Sequence, residues 1–255
     1  MHTQPPALLL AAGRGERMRP LTDHTPKPLL QVQGRPLLEW HLRALAEAGV
    51  AQVVINTAWL GEQIGERFSG NFGLEDAADK RRQLSISYSH EGRDFGRALE
   101  TAGGIARALP RLGAVFWLAA GDVFAPDFPF AAAAAQRFAD SDALAHLWLV
   151  DNPAHNTRGD FGLSDQGLAL NLPADDPRPR YTYSTIALLR AELFAAPWCD
   201  IPAGNPEGVA AALAPLLRRA MDAGRVTAEL YPGRWTDVGT PERLAALNAP
   251  APVHG

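Results

Sequence analysis

A strand-like run that leads into a glycine-rich loop, Ala7-Leu8-Leu9-Leu10-Ala11-Ala12-Gly13-Arg14-Gly15, decides the fold class of this chain. Residues 7–12 are apolar without alternation, which is typical of a strand that is buried on both faces of a parallel sheet. Gly13 ends the run, and two glycines one residue apart let the backbone approach an anion with its N–H groups pointing inward. The stretch therefore predicts a first β-strand followed by an anion-binding loop.

Strands and helices alternate through residues 1–150. Apolar stretches predict further strands at 50–56, 84–88, 114–120 and 145–150, and helical periodicity predicts helices at 36–48, 60–68, 101–109 and 130–139. The charged and irregular segment 70–83 is expected to be a surface excursion. Because strands that alternate with helices form parallel pairs through right-handed crossovers, the pattern predicts an α/β fold with a mostly parallel sheet and helices on both faces.

Residues 151–255 contain shorter and less regular elements. The pattern predicts strands at 161–163, 168–172 and 181–189, and helices at 208–223 and 241–247. No shift of composition marks a linker, and no repeat of fixed period is present. We therefore expect a single domain over residues 1–255 with two lobes, 1–150 and 151–255.

The composition indicates a globular protein. The 255 residues are 47% hydrophobic and 20% charged, which excludes a disordered or low-complexity chain. With 24 Lys and Arg against 28 Asp and Glu, the net charge is −4, unlike the basic surface of a general nucleic-acid binder. The single cysteine, Cys199, excludes an internal disulfide, and the run 7–12 is too short for a signal peptide or a membrane span. We expect a cytoplasmic protein without nucleic-acid or membrane partners.

Basic residues are concentrated around the first loop. Residues 11–43 hold six Lys and Arg against three Asp and Glu, in a chain that is acidic overall. A triphosphate needs such a concentration, because its charge must be neutralised before a second anion can approach. The loop is not a P-loop, since the Lys-Ser/Thr ending is missing, and Met18 stands where Gly-x-Gly-x-x-Gly has its third glycine. Two interpretations stay open from the residues alone, a phosphate-binding loop or a tight turn with solvated arginines.

Two aspartates are candidate metal ligands. Asp122 follows the predicted strand 114–120 and a glycine, at the carboxyl end where open α/β sheets bind ligands. Asp237, in Trp235-Thr-Asp-Val-Gly239, is a candidate second carboxylate from the far end of the chain. Mg²⁺ prefers one or two carboxylates together with phosphate oxygens and water. Either aspartate is also typical of a helix cap or a turn, so the metal site is a hypothesis at this point.

The segment Glu100-Thr101-Ala102-Gly103-Gly104 precedes a predicted helix. Its small residues predict a place where a flat base or a sugar can approach the backbone. Thr101 is also the predicted N-cap of the helix, and the two interpretations are compatible. Other polar and aromatic residues carry weaker signals. The histidines without metal-type spacing are expected to be solvated or packed, and the tryptophans in apolar contexts are expected in the core: His24, His41, His90, His146, His155, Trp40, Trp59 and Trp148.

Longer strings resemble a known family. Leu10-Ala-Ala-Gly-Arg-Gly-Glu-Arg-Met-Arg-Pro-Leu-Thr22, followed by Thr25-Pro-Lys-Pro-Leu29, resembles the signature of sugar-1-phosphate nucleotidyltransferases, which make nucleotide-sugars. The resemblance continues through Ile55-Asn56, Glu100-Thr-Ala-Gly-Gly104, Gly121-Asp-Val123 and Trp235-Thr-Asp-Val-Gly-Thr-Pro-Glu-Arg-Leu244. Within the family, the strings at 99–105, 150–153 and 158–161 are most similar to the N-acetylmuramate-1-phosphate uridylyltransferase branch.

The resemblance implies a Rossmann-like, mixed sheet of the nucleotide-diphospho-sugar transferase type and a Mg²⁺-dependent reaction. A nucleoside triphosphate, with UTP favoured, and a sugar-1-phosphate, with N-acetylmuramate-1-phosphate favoured, would form a nucleotide-sugar and pyrophosphate. The lobe 1–150 would bind the nucleotide and the lobe 151–255 the sugar. The implied nucleotide-binding residues are Ala11, Ala12, Gly13, Arg14, Gly15, Glu16, Arg17 and Gly103; the substrate-binding residues are Lys27, Asn56, Glu100, Thr101, Asp160 and Thr185; the metal ligands are Asp122 and Asp237; and the catalytic residues are Arg17, Lys27 and Asp122.

The chain departs from the family pattern at several positions. Glu100 and Thr185 stand where many relatives have glycine, residues 93–97 look inserted, and the Glu-Lys pair with which many relatives hold the sugar is missing around 164–167. These departures leave open a mannose-1-phosphate guanylyltransferase or a glucose-1-phosphate thymidylyl- or uridylyltransferase. A metal-dependent glycosyltransferase and a catalytically silent nucleotide-sugar sensor are the alternatives from other classes. We expect no C-terminal β-helix, and the oligomeric state stays open.

Overall fold

The computed structural model of the protein describes residues 4–75 and 81–250. The strands are β1 (Ala7–Ala11), β2 (Gln31–Val32), β3 (Arg35–Pro36), β4 (Gln52–Thr57), β5 (Asn71–Glu75), β6 (Arg81–His90), β7 (Val115–Ala120), β8 (Val123–Phe124), β9 (Ala145–Val150), β10 (Phe161–Leu163), β11 (Ala169–Leu170), β12 (Arg180–Arg190), β13 (Val226–Leu230) and β14 (Thr236–Asp237). The α-helices are α1 (Leu37–Glu47), α2 (Gly61–Arg67), α3 (Glu91–Phe95), α4 (Glu100–Ala108), α5 (Ala132–Ala139), α6 (Ala214–Asp222) and α7 (Pro241–Asn248).

Ten of these strands form one sheet. Eight lie in the order β11-β10-β12-β7-β1-β4-β6-β5, and β9 lies beside β12 with β13 on its far side. β1 is parallel to both β4 and β7, and β4 is parallel to β6, whereas β12 is antiparallel to β7 and β9. The predicted Rossmann-like, mixed and mostly parallel sheet is confirmed. Because β12 lies between β7 and β9, both predicted lobes contribute to the same sheet.

The two faces of the sheet are covered by different helices. On β1, Leu9 packs in a core cluster with residues of α1 and α5, such as Leu42 and Phe138. Its neighbour Leu8 packs in a second cluster with residues of α4 and α6, such as Ile105. Both leucines are completely buried. The apolar run without alternation therefore reflects a strand whose two faces are covered, as the sequence predicts.

The short elements β2, β3, β8, β14 and α3 were not predicted, and three longer elements also differ from the prediction. Residues 71–75 of the predicted surface excursion form β5, which is antiparallel to β6, while 76–80 lie outside the described residues. α6 begins at Ala214 rather than at residue 208, because the backbone of 209–211 bonds instead to Asn205 and α4. β13 was not predicted, since only Val226 and Ala228 of this strand at the end of the sheet are buried.

The parallel strands end at one edge of the sheet. Leu10, near the end of β1, lies opposite Asn56 of β4 and Ala120 of β7. The carboxyl ends of these strands and the loops that follow them therefore surround a common space, where open α/β sheets bind their ligands. No helix in residues 4–75 and 81–250 is long and apolar enough to cross a membrane.

Candidate active site

A cleft of about 250 Å³ opens at the carboxyl ends of β1, β4 and β7. The residues that line it come from the end of β1 and the loop after it, the segment 27–28, the ends of β4 and β7, and the start of α4: Leu10, Ala11, Ala12, Gly13, Lys27, Pro28, Asn56, Ala98, Glu100, Thr101, Ala120 and Asp122. Eight of these are residues that the family resemblance had implied. The fold therefore brings segments from the first half of the chain to the edge where a ligand is expected.

The two glycines of the first loop have different surroundings. Gly15 has φ +68°, and a Cβ there would lie 3.0 Å from Thr22 Cγ2. Its carbonyl accepts a hydrogen bond from Thr22 Oγ1 at 2.9 Å, which closes the loop. Gly13 is exposed, and a Cβ there would meet nothing within 4 Å. Gly15 is therefore required by the turn, whereas Gly13 leaves open backbone beside the cleft.

The three loop arginines have different partners. Arg14 pairs with Glu16 at 3.0 Å, and its guanidinium lies 4.2 Å from the ring centroid of Trp59. Arg19 pairs with Asp23 at 2.7 Å. Arg17 is exposed and makes no hydrogen bond or ion pair within the described part of the chain. Of these three, Arg17 is the cation that is free to meet an anionic ligand.

Trp148 is buried in the core and the half-buried Trp40 packs against a core cluster, as expected, whereas Trp59 is partly buried and belongs to no core cluster of the described residues, so the expectation is wrong for Trp59. Trp59 follows β4 at the edge of the sheet, where its indole Nε1 donates to Thr22 O at 2.9 Å. The ring thus connects the loop after β4 with the loop after β1. Its apolar sequence context did not distinguish this position from a core position.

Lys27 and Asp122 meet in the cleft. Lys27 lies in a 3₁₀ turn, residues Lys27–Leu29, and is 8% exposed. Its ammonium Nζ lies 2.5 Å from Asp122 Oδ2, at the end of β7. The Asp122 side chain is 40% exposed. A buried lysine stem thus carries its charge into the cleft, where the partner carboxylate is open to a ligand.

Asp237 lies beside Asp122 through a short antiparallel ladder. Asp237 of β14 pairs with Val123 of β8, and Val238 N donates to Asp122 O at 2.9 Å. The Asp237 carboxylate is held by two side chains. Arg243 Nη1 donates to Asp237 Oδ2 at 2.5 Å and to Asp237 O at 3.1 Å, and His155 Nε2 lies 2.7 Å from Asp237 Oδ1. His155 and Arg243 had no signal in the sequence, because only the fold brings them to Asp237.

The donor set of Asp122 and Asp237 fits Mg²⁺. In the described part of the chain, no group of three or more His, Cys, Asp or Glu side chains forms a metal cage. Mg²⁺ is usually held by one or two carboxylates, with substrate phosphates and water completing the octahedron. Asp122 lines the cleft, Asp237 is joined to it through the backbone of the β8–β14 ladder, and their two carboxylates have this chemistry. Such a site would be complete only with the substrate present.

Asn56 and Glu91 connect the end of β1 with the residue that precedes α4, on two sides of the cleft. Asn56 Oδ1 accepts from Ala11 N at 2.8 Å, and its Nδ2 donates to Glu91 Oε1 at 2.7 Å. Glu91 Oε2 accepts from Leu99 N at 2.7 Å. Burial raises the pKa of the Glu91 carboxyl, which is completely enclosed. Both side-chain ends of Asn56, a predicted substrate-binding residue, are therefore used inside the protein, and Glu91 is a residue that sequence reasoning missed.

Glu100 and Thr185 both have left-handed backbones. Their φ angles are +56° and +62°, where residues other than glycine are strained. Glu100 lines the cleft and makes no hydrogen bond or ion pair with any described residue. Thr185 lies outside the cleft, at a register shift of β12 between Tyr183 and Ala187. Glycine would adopt either conformation without this strain.

The start of α4 corrects one expectation and shows what surrounds Gly103. The helix begins at Glu100 after Leu99 and has no side-chain cap, so the prediction of Thr101 as N-cap is wrong. The free N–H groups of Ala102 and Gly103 donate instead to Ala211 O, at 2.8 and 3.2 Å. Gly103 does not line the cleft, and a Cβ there would lie 2.3 Å from Val209 O. Close packing against the backbone of 209–211 requires a glycine here, and the expectation that Gly103 binds the nucleotide stays a prediction.

Asp160 also lies outside the cleft. Its Oδ2 accepts from Tyr183 N at 2.8 Å, and Asn156 Nδ2 lies 3.3 Å from the same oxygen. Asn156 also donates to Thr182 Oγ1 at 3.1 Å. Asp160 therefore holds the loop that follows β9 against β12. That loop is the one that presents His155 to Asp237.

Together, the open α/β sheet and the cations and carboxylates at its carboxyl edge define a nucleotidyltransferase. The chain belongs to the family of MobA-like NTP transferase domains, which its residues 7–230 match. It is 43% identical over 255 residues to the N-acetylmuramate alpha-1-phosphate uridylyltransferase of Neisseria meningitidis serogroup B, covering 95% of this chain and 96% of the relative. It is 29% identical to the Caulobacter vibrioides protein of the same name, covering 95% of each.

Solved structures show the same fold. A Bacillus anthracis structure described as a glucose-1-phosphate thymidylyltransferase superposes with a TM-score of 0.72 at 19% identity, over 95% of this chain and 94% of the other. The inositol-1-phosphate CTP transferase from T. maritima superposes with a TM-score of 0.65 at 16% identity, over 96% and 97%. The nucleotide-diphospho-sugar transferase type of sheet, expected from the sequence, is thereby confirmed.

Proposed function

We propose that this protein transfers the uridylyl group of UTP to N-acetylmuramate-1-phosphate, forming UDP-N-acetylmuramate and pyrophosphate. The observation that carries the reaction class is the Lys27–Asp122 pair, 2.5 Å apart in the cleft that the first loop also lines through Gly13. Support for the two substrates comes from the relative that is 43% identical over nearly the whole of both chains.

In this reaction a phosphate oxygen of the sugar-1-phosphate attacks the α-phosphorus of UTP. The new P–O bond forms as the bond from the α-phosphorus to the bridging oxygen of the β-phosphate breaks, and the electron pair leaves with pyrophosphate. Two anions must approach each other, so positioning and charge neutralisation supply most of the rate. The exposed backbone around Gly13 and the Arg17 guanidinium would hold the triphosphate and the charge that develops on pyrophosphate.

Lys27 would lie between the two reacting phosphates. Its stem is buried, so the ammonium has little freedom to follow a mobile ligand, which is the preorganisation that electrostatic catalysis requires. Asp122 holds this ammonium in the cleft before substrates arrive. Glu91 and Asn56 keep the end of β1 at a fixed distance from the start of α4. The two segments that would hold the nucleotide therefore keep their relative position.

We also propose that Asp122 and Asp237 hold Mg²⁺ together with the substrate phosphates. The bound ion would offset repulsion between the two anions and stabilise charge on the phosphates. Arg243 and His155 orient the Asp237 carboxylate from the side, and the β8–β14 ladder keeps it beside Asp122.

We infer that the reaction takes place in the cytoplasm and serves the reuse of cell-wall sugar. UTP is a cytoplasmic metabolite, and a chain whose single cysteine forms no internal disulfide suits a reducing compartment. N-acetylmuramate is a sugar of the bacterial wall, so its activated form would re-enter wall synthesis.

The test is pyrophosphate release with UTP, dTTP, GTP, CTP and ATP, each against N-acetylmuramate-, N-acetylglucosamine-, glucose- and mannose-1-phosphate. We expect the highest kcat/KM for UTP with N-acetylmuramate-1-phosphate. A preference for GTP with mannose-1-phosphate, or for dTTP with glucose-1-phosphate, would replace the proposed substrates but keep the reaction. No pyrophosphate with any pair would reject the reaction itself and leave the sensor or glycosyltransferase alternatives.

A further inference from the structure

A second polar cavity, of about 380 Å³, lies in the lobe that follows β9. Its walls come from the loop 156–160, the segment after β11, the start of β12 and helix α6. The polar and charged residues that line it are Asn156, Arg158, Asp160, Arg180 and Arg218. We call this cavity the arginine pocket. Three arginines and one aspartate line it, in a chain whose net charge is −4.

The three arginines of the pocket form no ion pair with a described carboxylate. None of them has a carboxylate within 4 Å in the part of the chain that the structure describes. Arg180 is held by the carbonyls of Leu172 and Pro173. Arg218 donates to Asn171 Oδ1 at 2.7 Å, and its guanidinium lies 5.3 Å from the centroid of the Phe161 ring. Neutral acceptors fix the position of these groups without neutralising them.

Arg158 is the most available of the three. It is exposed and makes no hydrogen bond or ion pair with any described residue. A neighbouring arginine shows the contrast, because Arg178 is held by Asp176 at 2.8 Å. An arginine that lacks such a partner, beside two others fixed by neutral groups, is poised to bind an added anion.

Asp160, the aspartate that lines the pocket, is not the partner of these arginines. Its Oδ2 accepts from Tyr183 N and lies within reach of Asn156 Nδ2, so the carboxylate is used to hold the loop 156–160.

The loop that lines the pocket is connected to the candidate active site. His155, which contacts Asp237 at 2.7 Å, directly precedes Asn156 in the chain. The loop that lines the arginine pocket at 156–160 therefore continues directly from the residue that contacts Asp237.

We propose that the arginine pocket binds the carboxylate of an acidic sugar-1-phosphate while the phosphate lies at Lys27. This inference rests on the proposed function, since N-acetylmuramate differs from N-acetylglucosamine by a lactyl ether that ends in a carboxylate. The planar guanidinium matches a carboxylate with two parallel hydrogen bonds, which a single ammonium cannot make. The pocket thereby selects an acidic sugar over its neutral counterpart.

The experiment compares kcat/KM for N-acetylmuramate-1-phosphate and N-acetylglucosamine-1-phosphate, with UTP, in the wild type and in Arg158→Gln and Arg218→Gln. A charged hydrogen bond in a specific site is worth about tenfold or more in selectivity, so we expect each variant to lower the ratio of the two values by that factor. The loss should fall on the acidic sugar alone and mainly on its KM. Where the neutral sugar-1-phosphate turns over too slowly, its inhibition constant replaces kcat/KM.

Arg137→Gln is the matched control, because it removes the same charge from an exposed position on α5, outside both cavities. Its ratio should equal that of the wild type. A wild type that makes UDP-N-acetylmuramate while the pocket variants keep the ratio, or lose both substrates equally, would overturn the pocket assignment and leave the proposed function in place. A wild type that does not use N-acetylmuramate-1-phosphate would reject both.

Discussion

Lys27 Nζ lies 2.5 Å from Asp122 Oδ2 although 95 residues separate the two side chains in the sequence. The lysine stem is buried beneath the first loop, and the aspartate follows a strand in the centre of the sheet. The pair places a positive charge where two phosphates would meet and a carboxylate beside it.

Lys27→Met keeps the length of the apolar stem and removes the ammonium. If Lys27 stabilises charge in the transition state, kcat should fall on the order of 10²-fold or more, with a smaller change in KM. Steady-state kinetics of pyrophosphate release measure both. A variant that folds normally and keeps the wild-type kcat would exclude a catalytic role for this lysine.

Arg17→Gln removes the one arginine of the first loop that has no partner in the described chain. Because Arg17 is free to meet the triphosphate, kcat/KM for the nucleotide should fall by about 10²-fold. Arg19→Gln is the matched control, since Arg19 is already paired with Asp23 at 2.7 Å. Equal losses in the two variants would show that the loop acts only through its overall charge.

Glu91→Gln tests the bridge between the two cleft walls. Both Glu91 oxygens accept hydrogen bonds, from Asn56 Nδ2 and Leu99 N, so a glutamine must turn its NH₂ toward one of these donors. A buried donor without an acceptor costs about 1–3 kcal/mol, so urea unfolding should show a loss of that size, together with a higher KM for UTP. Glu66→Gln, at an exposed position of α2, should change neither value. An unchanged KM in Glu91→Gln would limit Glu91 to a structural role.

Glu100→Gly should stabilise the protein. The left-handed conformation costs a residue with a side chain about 1–2 kcal/mol, whereas glycine loses about 0.5–1 kcal/mol of backbone entropy. The free energy of unfolding should therefore rise by about 0.5–1 kcal/mol. Glu100→Ala removes the same carboxylate but keeps the strain, so it should show no gain. A gain in the alanine variant as large as in the glycine variant would assign the effect to the charge.

We expect the free energy of unfolding to depend on pH because of the buried His41. The ring lies in the core at 1% exposure, and burial lowers the pKa of His41 to about 4. Between pH 6.5 and about 4 the unfolded chain binds a proton at this ring that the folded protein does not bind, so stability falls as pH falls through that window and is constant above it. The slope from this group approaches ~1.4 kcal/mol per pH unit.

Urea unfolding from pH 4.5 to 7.5 measures this slope for the wild type and for His41→Leu. The leucine variant removes the titrating ring but keeps an apolar side chain, so the other carboxylates and histidines contribute equally to both curves. The difference between the two free energies should change with pH below 6.5 and stay level above it. A difference that is level throughout would contradict a neutral His41 in the folded protein.

Much of the fold follows from local sequence. The run 7–12 is buried on both faces, as its lack of alternation predicts, and Asp122 follows a buried strand at the ligand edge of the sheet. β13 escaped prediction because Glu229 and Leu230 are exposed and interrupt its pattern. Thr101 was expected to cap α4, but a carbonyl from residue 211, far along the chain, occupies that place.

The site was harder to predict where tertiary contacts create it. Asp237 was a candidate from its local string, but the contact of His155 with its carboxylate depends on the loop that Asp160 holds against β12. Glu91 lies in a charged segment and has no local mark of burial. A hydrogen-bond network across three segments cannot be deduced from the spacing within one of them.

The most direct test of the function is the stoichiometry of products from UTP and N-acetylmuramate-1-phosphate, measured by mass spectrometry and a pyrophosphate assay in the same reaction. Uridylyl transfer predicts one UDP-N-acetylmuramate for each pyrophosphate with the wild type, and a rate at least about 10²-fold lower with Asp122→Asn. Free phosphate or UMP in place of the nucleotide-sugar, or equal rates for the two proteins, would contradict nucleotidyl transfer at this cleft.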